Sequence, residues 1–206
     1  MKLNFKKQHF GVVTVVFLVL IIVALIVAFP KTRNGIKDVM NIKSSDELIS
    51  EAAEAQKTGD KAKAITLYED ALEKDGSNAK VRNDLSILYY ENKNYDKSVE
   101  SWKKAAESNP NDRIALNFLA NSYREIGNNE EAIKYYKLAI EAGNTDSAGN
   151  LVTIYNLEGK YDESIALLNS LIEKYPDDII LKRLLASTYS KKGDTVKADE
   201  ILAAIR

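Results

Sequence analysis

Cysteine is absent from this 206-residue chain, and His9 is its one histidine. The first absence excludes disulfides, thiolate chemistry, Cys-based zinc sites and lipoprotein processing, and it leaves the redox compartment open. The second excludes a Ser-His pair, a histidine base and a histidine metal site beyond the amino terminus. No GxxxxGK[ST] run is present, so there is no phosphate-cradling loop. Acids cluster at Asp96, Glu130-Glu131, Asp162-Glu163 and Asp177-Asp178, where helices are expected to open. Such acids complement helix dipoles and caps rather than forming catalytic carboxylate pairs. No catalytic, cofactor or metal residue is expected, and the chain does not read as an enzyme.

The formal charge of −1 conceals an asymmetry. Up to residue 44 there are seven basic residues (Lys2, Lys6, Lys7, Lys31, Arg33, Lys37, Lys43) against Asp38 alone. From 45 onward 22 basic residues face 29 acidic ones, a net of −7. An acidic array is a poor match for a phosphate backbone, so nucleic acid is not an expected ligand.

Residues 10–29 read FGVVTVVFLVLIIVALIVAF, twenty residues without a charge. At about 1.5 Å per residue a helix of this length spans about 30 Å, a bilayer core. A cleavable signal peptide is the alternative, but its apolar region is usually about 7–15 residues and ends in an A-x-A-like site. Here the run is longer and Ile26-Val27-Ala28 is a mediocre site. The expectation is one uncleaved transmembrane helix after a short basic tail (1–9). Positive charges flank it on both sides, Lys2, Lys6 and Lys7 before and Lys31, Arg33, Lys37 and Lys43 after. Because long domains translocate largely regardless of charge, the amino terminus is expected in the cytoplasm and the rest outside it, a single-pass protein of the cell membrane. Residues 30–44 are a linker in which Pro30 ends the anchor and Asn34-Gly35 marks a turn. Its basic residues either touch anionic head groups or only set topology. Fifteen residues reach about 50 Å at most, so the domain beyond the linker stays near the bilayer.

From residue 45 onward the sequence is repetitive. Leu119, Ala120 and Tyr123 share one helical face, Gly127 stops that helix, and Ala132, Tyr136 and Ala139 mark a second. Small residues alternating with large ones let two antiparallel helices approach closely. The pattern returns 34 residues upstream as Leu85, Ser86, Tyr89, Lys93, Ser98, Trp102 and Ala105, with Pro110 after it, and again as Ala52, Ala55, Gly59, Ala64, Tyr68 and Ala71. Downstream it returns as Leu151, Val152, Tyr155, Gly159, Ser164, Leu168 and Leu171, with Pro176 after it. Its last copy is Leu185, Ala186, Tyr189, Gly193, Ala198, Leu202 and Ile205. Five units at one period mean a solenoid. They fall at about 45–78, 79–112, 113–144, 145–178 and 179–206. The step from Gly127 to Gly159 is 32 residues, and the shortening is expected in the turn within 141–150. The first helix is expected after Ser45, with Asp46 and Glu47 in its first turn. Most tyrosines fall on the pattern and belong in the core, whereas Tyr90 and Tyr135 lie off it and could be exposed. The first unit has Glu51 where the others have Leu, as suits a terminal unit.

The period and the positions L-[small]-x2-Y…A-x3-[aromatic]-x2-A…P resemble the tetratricopeptide repeat family. The resemblance implies an all-α, right-handed α-solenoid of five helix-turn-helix repeats, here preceded by the N-terminal transmembrane helix. It also implies a concave groove lined by the first helix of each unit. Carried over, the groove positions are Asn83, Ile87 and Tyr90, then Asn117, Asn121 and Arg124, then Asn150, Thr153 and Asn156, then Arg183, Ser187 and Ser190. Asparagine both donates and accepts, so such a strip can pair with a peptide backbone; the plain alternative is that solvent-facing helix positions are simply polar. The family's carboxylate clamp is incomplete, because the lysine it requires is Ile49 in the first unit and Asn83 in the second. The expected partner is a protein, met as an extended peptide or a helix. An alternative is self-assembly, since Val196, Ile201, Leu202 and Ile205 of the last helix have no following helix to cover them and such ends can stack.

Overall fold

The structure, a computed structural model, describes residues 43–205. The span expected at 10–29, the tail before it and most of the linker lie outside these residues. Among the described residues no helix is long and apolar enough to cross a membrane.

Ten helices and no strand make up the described chain. They are α1 (Ser45–Lys57), α2 (Lys61–Lys74), α3 (Ala79–Glu91), α4 (Tyr95–Ser108), α5 (Arg113–Glu125), α6 (Asn129–Glu141), α7 (Asp146–Leu157), α8 (Tyr161–Lys174), α9 (Ile179–Lys192) and α10 (Thr195–Ala204). Each packs mainly on its neighbours in sequence, which makes the array a tetratricopeptide-like solenoid of five helix pairs. Ser44, Asp60, Asn78, Asp112, Asn128, Asp178 and Asp194 each accept a bond from an otherwise unpaired amide at a helix start. Ser44 and Glu47 form a reciprocal capping box, so α1 begins one residue earlier than expected, at Ser45 itself. Asp96, Glu130, Glu131, Asp162 and Glu163 occupy first turns, and Asp178 is a cap.

Every first helix ends in the same way. Gly59, Lys93, Gly127, Gly159 and Gly193 adopt positive φ, between 60° and 96°. The next amide then reaches back to the residue at the tyrosine position or its equivalent, as in Asn128 N to Tyr123 O (2.9 Å) and Asp194 N to Tyr189 O (2.9 Å). This closes the last turn and reverses the chain. Lys93 is the one non-glycine among them and carries a Cβ into a conformation that disfavours it.

The two-residue shortening is not in the turn. The connections at 75–78, 109–112, 142–145 and 175–178 all have four residues. Instead α6 has 13 residues where α2, α4 and α8 have 14, and α7 has 12 where α1, α3 and α5 have 13. What changes is the turn's chemistry. Gly143 takes φ +92°, and Asn144 N returns to Ala139 O at 2.8 Å. The Asn144 side chain accepts from Ser147 N and donates to Arg113 O, fixing the start of α7 without the usual cap.

The core follows the small–large alternation. Ala52, Ser86, Ala120, Val152 and Ala186 are buried on first helices, and Ala64, Ser98, Ala132, Ser164 and Ala198 face them from second helices. Tyr68, Trp102, Tyr136 and Leu168 fill the space these small residues leave. Of the serines at the small position, Ser98 pairs with Ser122 (2.8 Å) and Ser86 with Ser101 (2.5 Å), whereas the Ser164 hydroxyl is buried without a protein partner. Tyr90 and Tyr135 are half-buried, not exposed. Tyr90 packs edge-on to Tyr95 and Phe118, and Tyr135 stacks on Tyr123 at 5.6 Å. Rings off the repeat pattern still find partners on adjacent helices.

Replacing Lys93 by glycine should raise stability by about 0.5–1 kcal/mol, the left-handed penalty less the greater freedom of glycine in the unfolded chain. Chemical denaturation measures it; a loss of stability would mean that the Lys93 side chain makes a contact worth more than the strain.

Candidate functional site

The twelve positions carried over for a groove lie on α3, α5, α7 and α9, and the structure treats them unequally. In the second unit Asn83 is half-buried, and Ile87 packs on the cluster of Trp102, Leu116 and Leu119. Tyr90 directs its hydroxyl to Glu125 at 3.5 Å. Burial, then the nearby Glu125 carboxylate, pushes its phenol above the ordinary range.

The middle of the strip is a connected network. Ser147 donates to Asn117 Oδ1 at 2.8 Å. Asn121 Oδ1 accepts from Tyr136 Oη at 2.5 Å and from Asn150 Nδ2 at 3.3 Å. Arg124 donates to Asn150 Oδ1 at 3.2 Å and to Glu125 at 2.8 Å. The asparagines therefore join α5, α6 and α7 across two repeats. The side-chain oxygens of all three asparagines, and the amide nitrogen of Asn150, are used on neighbours before any ligand arrives.

Asn156 departs from its expected place. It is 8% exposed, donates to Thr188 Oγ1 at 3.1 Å, and leaves its Oδ1 buried without a protein partner. The cause is the close approach of α9 to α7, where Leu184 comes within 3.8 Å of a Cβ built at Gly149. Thr153 is exposed, and its hydroxyl donates to Gly149 O within its own helix. The last three positions, Arg183, Ser187 and Ser190, are exposed and line an open cleft of about 740 Å³ floored by Ala186, Ala198 and Leu202.

Four participants were not singled out from the sequence: Tyr136 by its hydroxyl, Ser147, Thr188 and Glu125. A signal existed for two of them. Ser147 and Thr188 stand about one repeat, 30 and 32 residues, after the asparagines they pair with. Among the described residues no group of His, Cys, Asp or Glu is disposed to hold a metal ion.

Asn121→Ala leaves the Tyr136 hydroxyl without its acceptor and should cost about 1–3 kcal/mol of folding stability. Ser187→Ala, at an exposed position, should stay within about 0.5 kcal/mol. Urea unfolding of the two variants compares them; equal losses would remove the network from any structural role. Burial also pushes the Tyr136 phenol up to about 12 from its ordinary value near 10. A raised acid contributes stability that is complete below pH 10 and lost as pH rises through about 12. The melting temperature should therefore fall across that window, and less steeply in Tyr136→Phe.

Two Tetratricopeptide repeat models match the sequence, one at residues 50–102 and 83–147, the other at 150–178. Photosystem I assembly protein Ycf3 of Synechococcus sp. (strain CC9605) is 31% identical over 97 residues, 46% of this chain and 51% of that protein. Protein O-mannosyl-transferase TMTC1 of Homo sapiens is 29% identical over 109 residues, 50% of this chain and 12% of that protein. The matches thus span about half, and about an eighth, of these relatives. Among solved structures MamA superposes with a TM-score of 0.66 at 21% identity, covering 77% of this chain and 88% of its own. YrrB, described as a TPR protein with an unusual peptide-binding site, superposes with a TM-score of 0.59 at 20% identity, covering 81% and 88%. At these identities the structures speak for the fold alone. The matched repeats cover more than half of the sequence, and the chain belongs to the tetratricopeptide repeat family.

Proposed function

We propose that this protein is a membrane-anchored, non-catalytic scaffold or assembly factor. In this reading residues 10–29 hold it in the lipid bilayer, and its repeats stand outside the cytoplasm, close to the membrane. A protein partner lies as an extended peptide or helix along the first helices. The observation that carries the reading is the C-terminal part of the strip. Arg183, Ser187 and Ser190 are exposed, make no side-chain bond to other described residues, and border an open cleft. Arg183 would favour an acidic group on the partner, with Asn83 and Thr153 adding polar contacts further along. The middle of the strip serves as a rigid platform, since its asparagines are already engaged. Family membership supports docking, because repeats of this kind present extended surfaces to proteins and peptides. An assembly role also accords with the name of the Synechococcus relative.

A second reading, self-assembly, has its own observation. Leu202 is 39% exposed and Val196 70%, whereas Tyr68, Trp102, Tyr136 and Leu168, which stand where Leu202 does, are 3% or less. Head-to-tail stacking would lay α1 of a second copy on this face. There α1 presents Glu47, Glu51 and Glu54, where α3 has Val81, Leu85 and Leu88. Burying three carboxylates there costs desolvation that Arg183 and Lys191, with Asp199 beside them, offset only in part, so the docking reading is preferred.

A photo-crosslinking residue placed in turn at Ser187, Ala166 and Val196 of the full chain tests this in native membranes. Adducts to a distinct protein at Ser187 and not at Ala166, on a second helix, are expected. Labelling confined to Ala166 would move the interface to the other side. An adduct between two copies at Val196 would favour self-assembly. Release of the full chain by alkaline carbonate would refute the anchor.

A further inference from the structure

The second unit departs from the other four at one position and from three of them at a neighbouring one. Ser101 stands where the others have Leu67, Tyr135, Leu167 and Ile201, each packed against a core cluster. Arg82 stands where Leu48, Leu116 and Ala148 are buried and where the fifth unit has Lys182. A small hydroxyl and a long cation thus replace two apolar side chains at one junction. The result is a cleft of about 220 Å³ between α2 and α4, backed by α3. It uses a different face of α3 from Asn83, Ile87 and Tyr90, so it is separate from the strip.

Leu72 and Leu85 supply its apolar walls. Arg82, Lys97 and Lys104 stand around it with Glu100, an excess of positive charge in an array that is otherwise acidic. Each cation already has a modest partner. Arg82 donates to Gly76 O and keeps further donors in its guanidinium fork. Lys104 holds Glu100 at 2.7 Å in an exposed pair one helical turn apart, worth little and readily exchanged. Lys97 and the Tyr89 hydroxyl both hold Glu69, at 2.7 and 2.5 Å. Burial pushes the Tyr89 phenol up, so it remains a donor; burial also works against the Glu69 carboxylate, but the Lys97 and Tyr89 bonds outweigh it and keep Glu69 ionised. A dry cavity of about 150 Å³ takes a benzene ring, so this one accommodates a ring or branched chain carrying one anionic group.

We propose that this cleft binds a carboxylate borne on a short apolar body, the apolar part against Leu72 and Leu85 and the carboxylate between Arg82 and Lys104. The shared chemistry is met by a free small acid and by the C-terminal residue of a peptide. The probe is phenylacetate, titrated calorimetrically into the full-length protein in detergent, with phenylacetamide as the neutral control and a tripeptide ending in free phenylalanine as the peptide arm.

Phenylacetate should bind with a Kd on the order of 1 mM, and the amide at least about tenfold more weakly. Arg82→Gln should weaken phenylacetate about ten- to a hundredfold, as loss of a charged hydrogen bond does, with the melt unchanged. Ser101→Leu restores the residue type of the other units. It should abolish binding while the protein melts at the same or a higher temperature. A tripeptide that binds tighter than phenylacetate identifies a peptide end as the source, and one that does not bind identifies a free acid; both support the site. No saturable phenylacetate binding, equal binding of acid and amide, or binding retained in Ser101→Leu overturns it. Should Ser101→Leu fail to fold, an undiminished affinity in Arg82→Gln overturns it as well.

Discussion

The array depends on one contact made again and again: a bulky side chain in the middle of each second helix, seated where both helices of its unit carry small residues. Tyr136 with Ala120 and Ala132 shows it most plainly, since all three are wholly buried in one cluster. The small residues set how closely the helices approach, and the large one fills what remains. Trp102 shows the same rule under tension. Its ring stacks on Phe118 at 5.1 Å, yet its indole N–H is buried without a partner. An unpaired buried donor costs about 1–3 kcal/mol, which the packing of the largest side chain in the array must offset. At two of the small positions Ser86 and Ser98 pair their hydroxyls with Ser101 and Ser122, so tight approach and polar satisfaction coexist there, whereas Ser164 is buried without a protein partner.

The legibility of this array in its sequence is bounded by the nature of a repeat period. A period compares like positions, so the helix pairs, the capping acids and the left-handed turns could be placed, including Lys93 by its register alone. It does not say which element yields when residues are lost. Two missing residues could shorten a turn or its flanking helices, and the helices yielded because Gly143 and Asn144 close a different four-residue turn. Nor does it describe side chains outside the pattern. Tyr90, carried over as a groove position, and Tyr135 lie off the core pattern, and their burial depends on Phe118 and Tyr123 of nearby helices.

The strip of asparagines illustrates the same limit at a site. Its alignment along successive first helices was implied by the family resemblance. Its pairing was not, because Asn121 bonds Tyr136 of the next helix and Asn150 of the next unit, a matter of side-chain reach rather than register. Buried polar networks are rigid when fully satisfied, and this one braces the centre of the array. Asn156 is the place where satisfaction is incomplete, its oxygen enclosed between α7 and α9 without a protein donor.

A regular solenoid presents the strip along its first helices as an extended surface. Departures from regularity add further surfaces, and in this chain they differ in kind. At α1 the apolar face is replaced by Glu47, Glu51 and Glu54, which water solvates and a hydrophobic partner avoids. At α10 the residue type is kept and Leu202, 39% exposed, remains apolar and accessible. At the junction of the first two units Arg82 and Ser101 leave space and charge together. The first of these repels association and the second invites apolar contact without specifying orientation. The third combines a shaped volume with donors from α3 and α4, the combination that lets a site discriminate among ligands rather than merely adhere to them.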